Sequence, residues 1–271
     1  MEINSAKVQE YFDQVQPSIM GPYMMDGFGF PDSAGAYRFQ RETELVASLL
    51  SHLDNYGTAL DLGSGVGFWT NWLAERFRRV ESLESSLPLY QALAERSRTY
   101  ENVRTHHGNA LHYRPQNPLD LVFMGGLLMY LGDSDCVSML TRLARSMAPG
   151  GLLLCRESTM RYVSEYRAGE YNVLYRTPEH YHRLFKAANL ELVEQKKNTA
   201  YELLQIGCEL MKYWKSAIPS RYQSLPVVGR CVYWMLRATA PFLQKGLAFS
   251  GISFPVLQNH FFLLRPVSTP K

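Results

Sequence analysis

Two carboxylates frame the stretch of this chain best suited to chemistry. Asp61 follows the short apolar run Thr58-Ala59-Leu60, and Gly63, Ser64, Gly65 and Gly67 come next, the glycines at alternate positions. Glu84 closes a second run, Arg79-Val80-Glu81-Ser82-Leu83, 21 positions after Gly63. Directly after the glycines an amphipathic pattern begins, with apolar residues at Trp69, Trp72, Leu73 and Phe77. That order predicts strand, tight turn, helix, then a second strand. Glycine suits such a turn because residues with a Cβ avoid its dihedrals, and because a ligand can then approach bare backbone and the unpaired amides of the helix's first turn. The turn is a candidate nucleotide pocket, and a carboxylate at the end of the second strand could accept two ribose hydroxyls.

Spacing separates the possible nucleotides. A dinucleotide fingerprint needs its third glycine one position later, where this chain has Phe68, too large for close packing of helix on strand. The run Asp61-Leu-Gly63-Ser-Gly65-Val-Gly67 instead resembles motif I of the class I S-adenosylmethionine-dependent methyltransferases, in which the loop lies under the methionyl part of the cofactor. The resemblance implies that Asp61 offsets the methionyl ammonium, directly or through water, where it would repel a pyrophosphate. It implies a cofactor set of Asp61, Gly63, Ser64, Gly65, Gly67, Phe68, Trp69, Glu84, Ser85, Asn109, Ala110, Met124 and Gly125. Asn109 departs from the family, which commonly has Gly-Asp-Ala where this chain has Gly108-Asn109-Ala110; an amide can still meet the adenine's amine through its carbonyl. The resemblance covers about Thr58 to Val193 and specifies the cofactor better than the acceptor. A nucleotide-dependent oxidoreductase and a binding protein that methylates nothing are the alternatives.

The elements that hold these residues read as an α/β domain: a doubly wound, seven-stranded, mostly parallel sheet with an antiparallel last strand. Strands are expected at Asn102 to His107, Leu119 to Met124, Leu152 to Cys155, Leu190 to Asn198 and His260 to Leu264, with helices over Pro88 to Thr99, Asp133 to Met147 and from Thr177-Pro178 to Asn189. Residues 160 to 177, rich in Tyr and Arg, read as a loop. The expected divisions are an N-terminal helical cover (1–54), the cofactor-binding core (55–199), a helical insertion (200–256) and the last strand with its tail (257–271). Within the cover, Val8, Tyr11, Phe12 and Val15 suggest one helix and Tyr37 to Leu53 another, joined by a Gly- and Pro-rich loop carrying Tyr23 and Met24. The insertion of roughly sixty residues far exceeds a typical connection; it holds helical patterns over Tyr201 to Lys215 and Val227 to Leu243 and reads as a substrate lid, a contact in a homodimer or an interfacial element.

Composition narrows the setting. With 271 residues, 46% apolar and 20% charged, the chain can bury a sizeable core. A net charge of +3 is mild, and Arg76-Arg78-Arg79 and Lys196-Lys197 are the only small basic clusters, which argues against nucleic acid as a partner. Cys136, Cys155, Cys208 and Cys231 have no CxxC spacing, and no cationic-then-apolar leader opens the chain, so a reduced, cytoplasmic setting is expected. Gly246 to Leu264 lacks charge but is broken by Pro255, Asn259 and His260, which disfavours a bilayer span. His106 and His107 are strand neighbours that point to opposite faces, so no metal site is expected there.

The expected acceptor is a small apolar or aromatic molecule. Tyr23, Met24, Tyr130, Glu157 and Tyr175 are the candidate pocket residues. Glu157, at the exit of the fifth strand, is the candidate for orienting or deprotonating the acceptor. No Asn/Asp-Pro-Pro-Tyr/Phe tetrapeptide occurs, which argues against the amino groups of DNA and of protein glutamine. Methyl transfer from a sulfonium is an in-line displacement in which the cofactor brings the activation, so the protein mainly aligns the nucleophile and excludes water.

Overall fold

The computed structural model describes residues 3–17, 30–169, 171–219, 226–249 and 255–267. Two helices, α1 (Ser5–Asp13) and α2 (Asp32–Leu49), precede an alternation of strands and helices: β1 (Thr58–Leu62), α3 (Phe68–Ala74), β2 (Arg79–Glu84), α4 (Leu87–Ser97), β3 (Val103–His107) and β4 (Leu119–Met124). After β4 comes a 3-10 turn (Leu128–Tyr130), then α5 (Asp133–Ala144), β5 (Met147–Met160), the short β6 (Glu165–Arg167) and β7 (Val173–Tyr175), and α6 (Pro178–Ala187). The chain closes with β8 (Leu190–Lys197), α7 (Thr199–Ala217), α8 (Pro226–Phe249) and β9 (Leu257–Pro266).

Seven strands form one mixed sheet in the order β3-β2-β1-β4-β5-β9-β8, and β1 pairs in parallel with both β2 and β4. The order reverses between β1 and β4, so the crevice beyond their carboxyl ends is where such sheets bind ligands. The last strand is antiparallel to β8: Asn198 N–H donates to Asn259 O and Val267 N–H to Asn189 O, so one strand's numbers rise as the other's fall. Parallel strands covered on both faces read as continuous apolar runs, and all six residues of β4 are buried. The core holds Leu60, Leu62, Val122, Met124, Leu153 and Phe262 from the sheet, with Leu140, Leu143, Tyr181 and Phe185 from α5 and α6.

Two local expectations are corrected. The helix expected over Asp133 to Met147 ends at Ala144, and Ala148-Pro149-Gly150-Gly151 lies inside β5, which begins at Met147 and turns at Gly150 (φ +78°); Leu119 pairs with Met147 before the register shifts. The segment read as a loop over 160–177 contains an antiparallel β6–β7 hairpin, Tyr166 pairing with Leu174. Its alternation is only three residues per strand, too short for a pattern to stand out.

The chain forms two compact units, one of 1–19, 49–196 and 260–271, the other of 20–48 and 197–259. The first contains the central strands and α1. In the second, Leu203, Ile206 and Leu236 pack together with Tyr37 and Val232, and Ala34, Leu204 and Tyr233 form a neighbouring cluster with Phe30. A Cβ on Gly207 would lie 2.7 Å from Phe30 and 2.9 Å from Leu236, so glycine there permits close approach to α8. No helix among the described residues is long and apolar enough to cross a membrane.

Candidate active site

The turn after β1 takes the conformation its glycines predict. Gly63, Gly65 and Gly67 all have positive φ, and the amides of Gly63 and Ser64 both donate to Leu83 O at the end of β2, tying the turn to the neighbouring strand. Ser64 Oγ closes the turn by donating to Asp61 O at 2.8 Å. A Cβ built on Gly67 would lie 2.7 Å from Leu93 Cδ1, so that glycine lets α4 approach. A Cβ on Gly65 would meet nothing within 4 Å, so its bare face looks into open space.

Glu84 is held beside that face. Its Oε2 accepts from Gly65 N–H at 2.8 Å, and its Oε1 accepts from Ser85 and Ser86 N–H at 2.8 and 2.9 Å. Burial raises its pKa, while the three amides work in the opposite direction. Helix α1 reaches the same corner: Gln9 Nε2 donates to Ser85 O at 3.1 Å, and Ser86 Oγ donates to Phe12 O at 2.9 Å.

Asp61 is buried, and Thr70 Oγ1 of α3 donates to its Oδ2 at 2.6 Å. Burial pushes its pKa up to about 7; the Thr70 bond opposes this and the nearby Glu84 carboxylate adds to it. A cation brought close to Asp61 would therefore meet a carboxyl poised to lose a proton.

The turn after β4 is fastened from below and from the side. Glu157, completely buried on β5, accepts from Leu127 and Leu128 N–H at 3.1 and 3.0 Å through Oε1 and from Met129 N–H at 3.3 Å through Oε2. Burial raises its pKa to about 7 against those bonds. Arg176, also completely buried, donates to Leu128 O at 2.7 Å and Leu131 O at 2.6 Å and pairs with Asp133 at 2.7 Å. Burial alone would raise the Asp133 pKa, but hydrogen bonds from Arg176 and His180 hold it below the usual carboxylate range. His180 bridges Asp133 Oδ2 and Ser164 Oγ at 2.9 Å each, linking α5, α6 and the start of the hairpin. Arg156 donates to Gly125 O at 2.7 Å.

The anchored turn carries Tyr130, whose ring meets Phe12 of α1 edge-on at 5.2 Å and Tyr171 at 5.9 Å; Tyr171 in turn lies 4.5 Å from Tyr11. Burial pushes the Tyr130 phenol well above its ordinary pKa. Tyr175, half-buried on β7, lies under the Arg167 guanidinium at 5.1 Å.

The structure thus brings Asp61, Gly63, Ser64, Gly65, Glu84 and Ser85 into one bonded group. Phe68 begins α3 with the Arg96 guanidinium 4.1 Å over its ring. Trp69 packs against Phe123, centroids 4.6 Å apart, and Met124 is buried in the core. The Asn109 side-chain carbonyl accepts from Leu111 N–H at 2.8 Å, and Arg142 donates to Ala110 O at 2.8 Å, which fixes the segment after β3. His106 and His107 part as strand neighbours do, the first to Glu81 at 2.5 Å and the second to Ser85 O at 2.9 Å. Tyr23 and Met24 lie outside the described residues. Sequence reasoning missed Thr70 as the partner of Asp61, and it named Arg156 and Arg176 without the backbone carbonyls they meet. A lone Arg or Thr in an unremarkable context gave no signal of its partner, whereas Tyr11 and Phe12 showed only as an apolar face.

The residues fit the cofactor the motif suggested, since bare backbone at Gly65 adjoins a carboxylate already oriented by three amides. Residues 59–151 match the family described as a methyltransferase domain. Among curated proteins, phosphoethanolamine N-methyltransferase 3 of Arabidopsis thaliana is 24% identical over 163 residues, covering 56% of this chain and 31% of that protein. The alpha N-terminal protein methyltransferase 1 of Drosophila melanogaster is 27% identical over 204 residues, covering 70% and 69%. This chain therefore spans about a third of the plant relative's length. Among solved structures, a Leishmania major S-adenosylmethionine-dependent methyltransferase superposes with a TM-score of 0.64 at 16% identity, over 96% of this chain and 82% of that one, a likeness of fold. Taken with the glycine turn, the amide-bound acid after β2 and the sheet order, these matches place a methyltransferase domain at residues 59–151 of this chain.

Proposed function

We propose that this protein transfers a methyl group from S-adenosylmethionine to nitrogen or oxygen of a small acceptor with apolar or aromatic character. The observation that carries the reading is the Glu84 carboxylate, held by the amides of Gly65, Ser85 and Ser86 beside a glycine whose Cβ position is open. Gly63, Ser64, Gly65 and Gly67 would line the methionyl part, Glu84 and Ser85 the ribose, Asn109 and Ala110 the adenine, with Phe68, Trp69, Met124 and Gly125 completing the surroundings through backbone or ring edge. Asp61 would balance the ammonium. When bound, the cofactor supplies a methyl group already activated on a sulfonium.

The chain's own task is to present the acceptor and keep water out. Tyr130 and Tyr175 are the proposed acceptor contacts, with Tyr130 set by the anchored turn. Glu157 acts as a positioning residue in this reading, because it is completely buried and its carboxylate is bonded to the amides of the turn that carries Tyr130. A neutral amine needs no strong base, and the names of the plant and fly relatives denote amine methylation, so amines head the acceptor screen.

Isothermal titration with S-adenosylhomocysteine and with NADH, followed by transfer of a labelled methyl group to amines, phenols and carboxylates, tests the proposal. Binding of the first nucleotide without the second, and labelling of at least one acceptor class, is the expected result. No binding of S-adenosylhomocysteine, or binding with no labelled product across the screen, would refute it.

A further inference from the structure

Residues 210–271 contain eight Lys and Arg and no Asp or Glu. The modest +3 of the whole chain is the sum of a strongly basic C-terminal stretch and a net acidic remainder. No dense cluster marks this asymmetry, because the bases are spread one or two to a segment; it is the missing acids that create it.

Within that stretch α8 has two apolar faces. One is accounted for: Tyr233 and Leu236 are buried in the clusters with α7 and α2. The other is not. Val227, Trp234, Met235 and Phe242 are 63%, 59%, 51% and 79% exposed, and exposed Cys231 falls among them. At 3.6 residues per turn these five positions fall within roughly a 100° arc. Arg230 lies exposed at the edge of the arc, and the Arg237 guanidinium stacks over Tyr37 at 3.6 Å beside it. Neighbouring α7 adds Tyr213, 69% exposed, and exposed Lys212. Large apolar side chains in a continuous exposed patch mark a surface that is covered in use.

We propose that this face of α8 docks on an anionic lipid bilayer, lying in its surface plane. The chemistry chooses among occupants. A second copy of the chain would bring a face edged by Arg230 and Arg237 against an identical face, so a symmetric contact would set like charges together. Nucleic acid calls for cations along the face itself, whereas here the centre is Trp, Met, Phe and Val and the cations stand at the rim. An apolar centre with Trp and Phe edged by basic side chains is the pattern of a helix that sinks its apolar side to the level of the headgroups.

Flotation of the full chain with vesicles of phosphatidylcholine, with and without phosphatidylglycerol, tests this. Co-flotation only with the anionic vesicles, weakened by added salt, is expected. The double variant Trp234→Glu, Phe242→Glu changes two exposed side chains, and it should weaken vesicle binding at least about tenfold while S-adenosylhomocysteine binding and helix content stay as in the parent. That unchanged nucleotide binding separates failure of docking from failure of the fold or of the proposed activity. Equal flotation with neutral and anionic vesicles, undiminished binding by the double variant, or a dimer in sedimentation that the double variant dissociates with no vesicle binding by the parent, would each overturn the proposal.

Discussion

Replacing Gly65 and Gly67 separately by alanine should give opposite defects. In both variants the residue must take a positive φ, +55° at position 65 and +88° at position 67, which costs an L-residue about 1–2 kcal/mol. Alanine also restricts the unfolded chain, recovering about 0.4–1 kcal/mol. At Gly65 nothing else is disturbed, since the new methyl would meet no atom within 4 Å, so the net loss of stability is at most about 1.5 kcal/mol. At Gly67 the methyl would stand 2.7 Å from Leu93 Cδ1 and 3.6 Å from Leu93 Cα; Leu93 is completely buried and has no room to withdraw. Overpacking of that kind adds about 1–3 kcal/mol, bringing the loss to about 1–4.5 kcal/mol net. The total stability of such a domain is only about 5–15 kcal/mol. Urea unfolding should therefore show Gly67→Ala markedly less stable than Gly65→Ala. Calorimetry with S-adenosylhomocysteine should show the reverse order of severity, Gly65→Ala binding at least about tenfold more weakly than the parent because its methyl occupies the open face. Parent-like affinity in Gly65→Ala, or parent-like stability in Gly67→Ala, would refute the division of labour drawn from the turn.

Glu84→Ala should weaken S-adenosylhomocysteine binding by about a hundredfold or more, since a hydrogen bond to a charged group contributes about 1.5–3 kcal/mol and two ribose hydroxyls are at stake; calorimetry reads it. Binding should also strengthen as pH rises toward about 7, where Asp61 loses its proton, and Asp61→Asn should flatten that profile below pH 7. Stability should move the other way. The raised pKa values of Asp61 and Glu157 mean that the fold holds those protons more tightly than the unfolded chain, so the stabilisation is complete below about pH 4 and is lost as pH climbs through about 7. Urea midpoints for the parent and for a Glu157→Gln variant across that range measure the contribution. Arg176→Met, which leaves Asp133 and two carbonyls of the turn without their buried partner, should cost about 3–5 kcal/mol and lower the thermal midpoint.

The sheet and its cofactor crevice were legible because each signal was dense and local. Asp61, the three glycines and the start of α3 occupy adjacent positions, and Glu84 ends the short run Arg79 to Leu83, placed where the strand after that helix must fall. The Thr177-Pro178 helix start was equally plain, and the Thr177 Oγ1 indeed accepts from His180 N–H at 3.2 Å. The fastening of the post-β4 turn was not legible. Glu157 and Arg176 act on backbone groups thirty to nearly fifty residues away in sequence, and no pattern of residue types announces which carbonyl or amide a buried charge will meet. The β6–β7 hairpin was hidden for a simpler cause, strands too short for alternation to register. The exposed side of α8 was visible as apolar sequence, but only burial tells an outward face from an inward one.

Because the backbone of residues 127–131 is gripped by side chains rooted elsewhere, in β5 and just before α6, the identities displayed along that turn are decoupled from what keeps it in place. Exchanging Met129 or Tyr130 leaves those backbone hydrogen bonds in place, whereas Leu127 also packs on the core. A lineage of such proteins could thus change acceptor by altering Met129 and Tyr130 alone, and a laboratory library confined to them should retain folding and nucleotide affinity while its preference among acceptors drifts.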